Sequence, residues 1–226
     1  ERLTDICPLQ KTKEGELASC YDMNWIAELT VKFDILGLKT LTVLKEASRL
    51  TGVELDSIDL GDKNLYKNFK NLECPQGLFQ IEADTNFGVC KKIKPRNLEE
   101  VSAVIAIARP GALEFKDQYA EYIRTGNSEL VHPQFADILA STGGIPLYQE
   151  QLMKMAVEVG FTLDEAEQLR RIVGKKKVDQ MPEWREKISQ KVEENRLTNA
   201  WTGHRGDEIA DVLWQVAEDS ANYSFN

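Results

Sequence analysis

The sequence predicts a mainly helical protein with a small β element near its N-terminus, an α+β class weighted toward helix. Three observations carry that expectation. From residue 38 onward, apolar residues recur at three- and four-residue spacing in successive segments, the period of a helix with one buried face. In residues 29–36 apolar and polar residues alternate instead, the period of a strand. Helix start and stop signals, among them Asn97, the Thr162–Glu165 pair and Gly174, bracket the periodic segments.

Taken in order, Leu29, Val31, Phe33 and Ile35 alternate with Thr30, Lys32 and Asp34. Lys32 and Asp34 would then project from one strand face, roughly 7 Å apart. Gly37 breaks the pattern, and residues 38–51 read as a helix with Leu41, Leu44 and Ala47 on one stripe. Asp62 is placed to cap a short helix reaching Phe69, and residues 77–82 suggest a short extended segment. Asn97 caps a helix over 98–108 that is apolar nearly all round, the mark of a buried helix. Glu99 and Glu100 suit its positive end. Arg109 precedes Pro110 and is expected to leave that helix extended. Helices follow over 112–124, 133–139 and 147–159, the last with Tyr148, Leu152, Met155, Ala156 and Val159 on one face. Thr162 and Glu165 form a capping box for the next helix, which Gly174 suits as C-cap. A strongly charged helix is expected over 178–196, a hinge over 203–206, and a last helix from Asp207 with Ile209, Val212, Leu213 and Val216 inward.

With 226 residues the chain is long enough for one large domain or two small ones. No apolar run is long enough to span a membrane and the first residues carry no signal-peptide pattern, so the sequence reads as a cytoplasmic protein without membrane contact. The four cysteines, Cys7, Cys20, Cys74 and Cys90, form no C-x-x-C pair, which argues against structural zinc and for free thiols, mostly packing residues. No phosphate-binding loop, dinucleotide fingerprint or nucleophile elbow is present. The net charge of −9 argues against binding DNA by bulk charge. Two basic clusters nevertheless stand out of the acidic background: Lys91, Lys92, Lys94 and Arg96, and Arg170, Arg171, Lys175, Lys176 and Lys177.

Several residues could carry chemistry. Asp34, with Lys32 on the same face and Gly37 close behind, suits the joint holding of Mg²⁺ and a phosphate; a simple ion pair is the alternative. Arg170 and Arg171 lie within reach of Glu167 and complement a helix end, but their forked donors also suit phosphate. Five basic residues exceed what capping needs. Tyr148 shares a face with Leu152 and Met155 and reads as core. Arg109 emerges from a buried helix into a Pro-Gly turn and either serves a site or caps a neighbour. His132 has no carboxylate or thiol partner nearby in the sequence and is weak evidence for catalysis.

Five blocks in order resemble the bacterial DNA polymerase III alpha subunit family. They are residues 32–43 (KFDILGLKTLTV), 77–82 (GLFQIE), 109–111 (RPG), 148–153 (YQEQLM) and 169–177 (LRRIVGKKK). The resemblance implies a fragment with residues 1–45 as part of a nucleotidyltransferase-type palm and 46–226 as helical fingers. It implies template-directed DNA synthesis by nucleotidyl transfer with two Mg²⁺ ions in the complete active site. By the same resemblance Asp34 is one catalytic, metal-binding aspartate and Lys32 lies near the incoming triphosphate. Arg170 and Arg171 meet the nucleotide phosphates, Tyr148 and Arg109 lie near the nucleotide pocket, and Lys175, Lys176 and Lys177 contact DNA phosphates. Primer–template DNA, dNTPs, the remainder of the alpha subunit and replisome components are the implied partners. The family's upstream acidic pair is not found before Asp34, and Ala108, Ala112, Pro146 and Leu147 depart from the family's usual residues. The chain alone is therefore expected to be inactive. The alternative is a non-enzymatic nucleotide- or DNA-binding module, or a complementation module for a second chain.

Overall fold

The computed structural model describes residues 2–31, 33–109, 111–174, 181–195 and 206–223. Lys32 and Lys175–Lys177 lie outside the described residues, as do the expected hinge over 203–205 and Pro110. The chain divides into two compact units, residues 1–57 and 58–226.

The first unit opens with a short helix α1 (Leu3–Ile6) and an antiparallel hairpin of β1 (Leu9–Lys11) and β2 (Leu17–Ser19). Leu9 pairs with Ser19, Gln10 with Ala18 and Lys11 with Leu17. Helix α2 (Met23–Leu29) follows, started by Asp22, whose carboxylate accepts the Asn24 amide at 2.8 Å. Helix α3 (Lys39–Thr51) ends on Gly52 at φ +71°, the left-handed C-cap position that glycine fills without steric penalty. The small β element of the expected class is thus present, but the hairpin forms it. The strand expected over 29–36 does not form: Leu29 closes α2, and residues 31 and 33–38 have no regular structure. Alternation says which side chains would share a face. A strand exists only if its backbone groups pair with a neighbour, and among the described residues β1 and β2 pair only with each other. Phe33 is 84 % and Ile35 96 % exposed. The apolar stripe of α3 is exposed as well, and of the described residues in this unit only Cys7 is buried.

The second unit is helical. Its elements are α4 (Asp84–Ile93), α5 (Leu98–Ile107), α6 (Lys116–Thr125), α7 (Ala136–Leu139), α8 (Gln149–Glu158), α9 (Leu163–Gly174), α10 (Met181–Glu194) and α11 (Gly206–Tyr223). Asn97 caps α5 through the Glu100 amide at 2.8 Å. The helix buries Ala103, Val104, Ala106 and Ile107, as its all-round apolar pattern requires. One core gathers α4, α5 and α6 with Ile145 and Leu147. A second gathers α7 to α11 around Phe135, Leu152, Met155, Leu169, Ile188 and Leu213. Although α10 is strongly charged, it buries Met181, Trp184, Ile188 and Val192, a narrow stripe at helical spacing.

Two further expectations change. Residues 77–82 form consecutive turns in place of an extended segment: Gly77 and Gln80 both take positive φ, +82° and +64°. The Ile81 amide reaches the Leu78 carbonyl at 2.8 Å, and these turns fold Ile81 into the core at 3 % exposure. The helix expected from Asp62 shortens to a 3-10 turn at Lys67–Asn71, because the Asp62 carboxylate closes a local turn onto the Asn64 amide at 2.8 Å. All four cysteines are free, but only Cys7 and Cys90 are packed inside; Cys20 and Cys74 are exposed.

Candidate nucleotide-binding site

The arginines expected to meet phosphate stand near the end of α9. That helix turns Ala166, Leu169 and Val173 inward, which leaves Glu167, Arg170 and Arg171 on its outer side. Its start is held by the Thr162–Glu165 box: the Thr162 amide donates to Glu165 at 2.7 Å and the Glu165 amide to the Thr162 hydroxyl at 3.3 Å. Arg170 grips Glu167 with two parallel bonds of 2.6 Å, Nε to Oε2 and Nη2 to Oε1. Its Nη1 reaches back to the Gln149 side-chain oxygen at 2.8 Å. Arg171 joins the same carboxylate, Nε to Oε1 at 2.9 Å. Arg170 hydrogen bonding, opposed by burial and helped by Arg171, pushes the Glu167 carboxyl down to about 2. The same Glu167 contact raises Arg170 above its ordinary value. The two side chains differ in readiness: Arg170 is 28 % exposed and fully engaged, whereas Arg171 is 65 % exposed. Among the described residues the two Nη groups of Arg171 bond to nothing.

The depressed Glu167 carboxyl sets a pH dependence. It contributes stability above its unfolded value of 4.5, and that contribution is lost as pH falls toward about 2. Between these limits the wild type should lose urea resistance more steeply than Glu167→Gln. Parallel acid profiles would show that Glu167 is not held by the arginines.

The start of α8 faces this cluster through Gln149. Gln151, two residues on, is buried; its side-chain oxygen accepts the Leu147 and Tyr148 amides at 2.8 and 3.0 Å, and its Nε2 donates to the Thr142 hydroxyl at 2.7 Å. Thr142 in turn donates to the Ile145 carbonyl at 2.6 Å. Tyr148 is thereby the N-cap residue of α8, with its ring partly buried against the α4–α6 core. Burial first, then Glu150 and Glu99, raises its phenol. Gln149 and Gln151 escaped the sequence reading. A glutamine three residues into a helix is a capping signal and could have exposed Gln151; nothing local marks Gln149.

The sequence candidates are thus brought together in part. Arg170 and Arg171 stand together at the end of α9, and Arg170 reaches the start of α8 through Gln149; Tyr148, next to Gln149 in the chain, packs its ring on the α4–α6 core. Arg109 lies in the same unit, exposed beyond α5, its carbonyl accepting the Ala112 amide at 3.0 Å. Asp34 belongs to the first unit, in an exposed segment without regular structure rather than on a strand. Among the described residues no three His, Cys, Asp or Glu side chains come together to hold a metal. A pair of ions about 4 Å apart needs several carboxylates, so the described residues do not by themselves fit such a pair.

Fold and site together define a helical module with a guanidinium cluster suited to polyanions. Residues 40–196 match the finger domain of the bacterial DNA polymerase III alpha subunit. The whole chain is 36 % identical to DNA polymerase III subunit alpha of Thermus aquaticus, and 99 % of it is 37 % identical to that of Aquifex aeolicus. It is 33 % identical over its full length to the Streptococcus pyogenes subunit. The chain belongs to the bacterial DNA polymerase III alpha subunit family. It spans about a fifth of the length of these relatives, 19, 20 and 22 %.

Proposed function

We propose that this chain is the fingers, with part of the palm, of a replicative DNA polymerase, and that Arg171 with Arg170 receives the triphosphate of an incoming dNTP. The observation that carries the reading is the sharing of one carboxylate by two guanidiniums. Glu167 holds both arginines in place and Glu150 adds a second negative charge near Arg170, which leaves Arg171 outermost as the more exposed of the two guanidiniums. A triphosphate would bond Arg171 without displacing anything. Engaging Arg170 would require it to exchange Glu167 for phosphate oxygens, which carry more charge than a carboxylate. Gln149 would keep Arg170 oriented during that exchange.

In this reading residues 1–45 belong to the palm and 46–226 to the fingers. Asp34 takes one ligand position of a magnesium site whose other carboxylates come from elsewhere in the subunit. Lys32, Arg109 and Tyr148 flank the nucleotide, and Lys175–Lys177 touch DNA phosphates. The module works in the cytoplasm with primer–template DNA and the rest of the alpha subunit, and the isolated chain does not synthesise DNA.

A second reading, as a module that completes another polypeptide, has its own support in the first unit. Trp25, Val31, Phe33, Ile35, Leu36 and Val43 are between 65 and 96 % exposed, far more apolar surface than so small a unit leaves to water without a partner. Residues 29–36 carry strand periodicity and need only a neighbouring strand to use it.

Calorimetry of dNTP with Mg²⁺ tests the first reading. Binding should be saturable and weakened by Arg171→Ala roughly ten- to hundred-fold, the loss of one charge-assisted contact of about 1.5–3 kcal/mol. Binding insensitive to Arg171→Ala would sink the phosphate role. No binding alone, but Arg171-dependent binding once the remaining palm polypeptide is added, would favour the second reading.

A further inference from the structure

The second unit holds another basic surface that shares no residue with the Arg170–Arg171 cluster. Two adjoining clefts lie between the Lys67–Asn71 turn, the end of α4, the start of α5 and α6, and both are lined by Lys70 and Arg96. Together they present seven basic residues against four acidic ones, on a chain whose net charge is −9. Three of the acids are already engaged: Asp117 by Lys92 at 3.0 Å, Glu121 by Arg124 at 2.5 Å and Glu100 by Arg96 at 2.8 Å. Among the described residues, Lys63, Lys67, Lys70 and Lys94 enter no ion pair.

A simpler account would be that the lysines near the end of α4 complement its negative terminus. That accounts for Lys91, Lys92 and Lys94, but not for Lys63, Lys67 and Lys70, which come from another element and converge on the same clefts. Lys94 is also costly where it stands. It caps α4 at φ +55°, the left-handed position that glycine fills without strain. The one aromatic lining residue, Tyr66, is 7 % exposed, with its hydroxyl bound to the Leu60 carbonyl at 2.6 Å. Bases therefore find no platform to stack on, and backbone phosphate is the feature of DNA that these side chains can hold.

We propose that these clefts bind the phosphodiester backbone of DNA without regard to sequence, separately from the triphosphate contacts at Arg170 and Arg171. Fluorescence anisotropy of the chain with a labelled thirty-nucleotide thymidine strand and with a mixed-sequence duplex of equal length tests it. Lys70→Glu with Lys94→Glu should weaken binding at least ten-fold on one of the two probes. The same pair should reduce the log–log salt slope by about 1.4 on the single strand or about 1.8 on the duplex, because two phosphates are no longer neutralised. The probe with the larger loss identifies the strand form bound. Lys94→Gly removes the charge while relieving the backbone; it should unfold no earlier in urea than the wild type and still bind more weakly, which separates binding from folding. No binding to either probe, or an equal loss when the exposed Lys45 and Lys154 are reversed instead, overturns the proposal. The heat of dNTP binding should be unchanged in the double reversal, so this site and the triphosphate site fail independently.

Discussion

Gly144→Ala is expected to destabilise the second unit by about 4 kcal/mol, through left-handed strain and overpacking together. Gly144 is buried at φ +86°, and a Cβ there would overlap the Glu129 main-chain carbonyl. Backbone cannot move aside as a flexible side chain can. Gly143, at φ +65°, is pressed equally by the Tyr122 ring, whose hydroxyl bonds the Ala140 carbonyl at 3.0 Å. This double-glycine turn delivers Ile145, Leu147 and Tyr148 to the core and sets where α8 begins. Gly88→Ala is the control. Gly88 lies inside α4 with nothing near its missing Cβ, so alanine should stabilise by up to about 1 kcal/mol. Urea midpoints for the two variants should move in opposite directions with similar slopes. Equal shifts would mean that the turn tolerates a side chain and does not constrain α8.

Gln151→Leu should cost a similar amount, about 4 kcal/mol, for a different reason. Leucine keeps most of the volume but orphans the Leu147 and Tyr148 amides and removes the donor to Thr142. Each buried amide left unsatisfied is worth about 1–3 kcal/mol. Gln151→Glu retains the accepting oxygen near a helix N-terminus, where a carboxylate is favoured, and should recover part of the loss. Amide exchange at 147 and 148 should accelerate in the leucine variant before global unfolding. If the leucine variant matches the wild type at its urea midpoint, the start of α8 is held by packing alone, and Gln149 owes its position opposite Arg170 to the core.

The features legible in the sequence were those whose partners lie within a few residues. The apolar period over 98–108 and the Asn97 cap fixed a buried helix, because both depend on bonds inside one helical turn. Thr162 and Glu165 announced the start of α9 for the same reason, and Arg170 and Arg171 were placed within reach of Glu167 by helical spacing alone. Family membership was legible too, in blocks such as residues 148–153 and 169–174.

Tertiary structure decided whatever depends on a distant partner. Residues 29–36 have strand periodicity, yet the described chain supplies no strand to pair with them, so residues 31 and 33–36 stay irregular and Asp34 among them. Residues 77–82 looked extended, but burying Ile81 required two residues at positive φ. Gln149 reaches Arg170 from 21 positions away, and Lys70, Lys94 and Arg96 line one cleft from separate elements. Helical periodicity survives in a sequence because its hydrogen bonds close within four residues, whereas strand pairing and side-chain clusters exist only once the packing of other segments has brought their partners into contact.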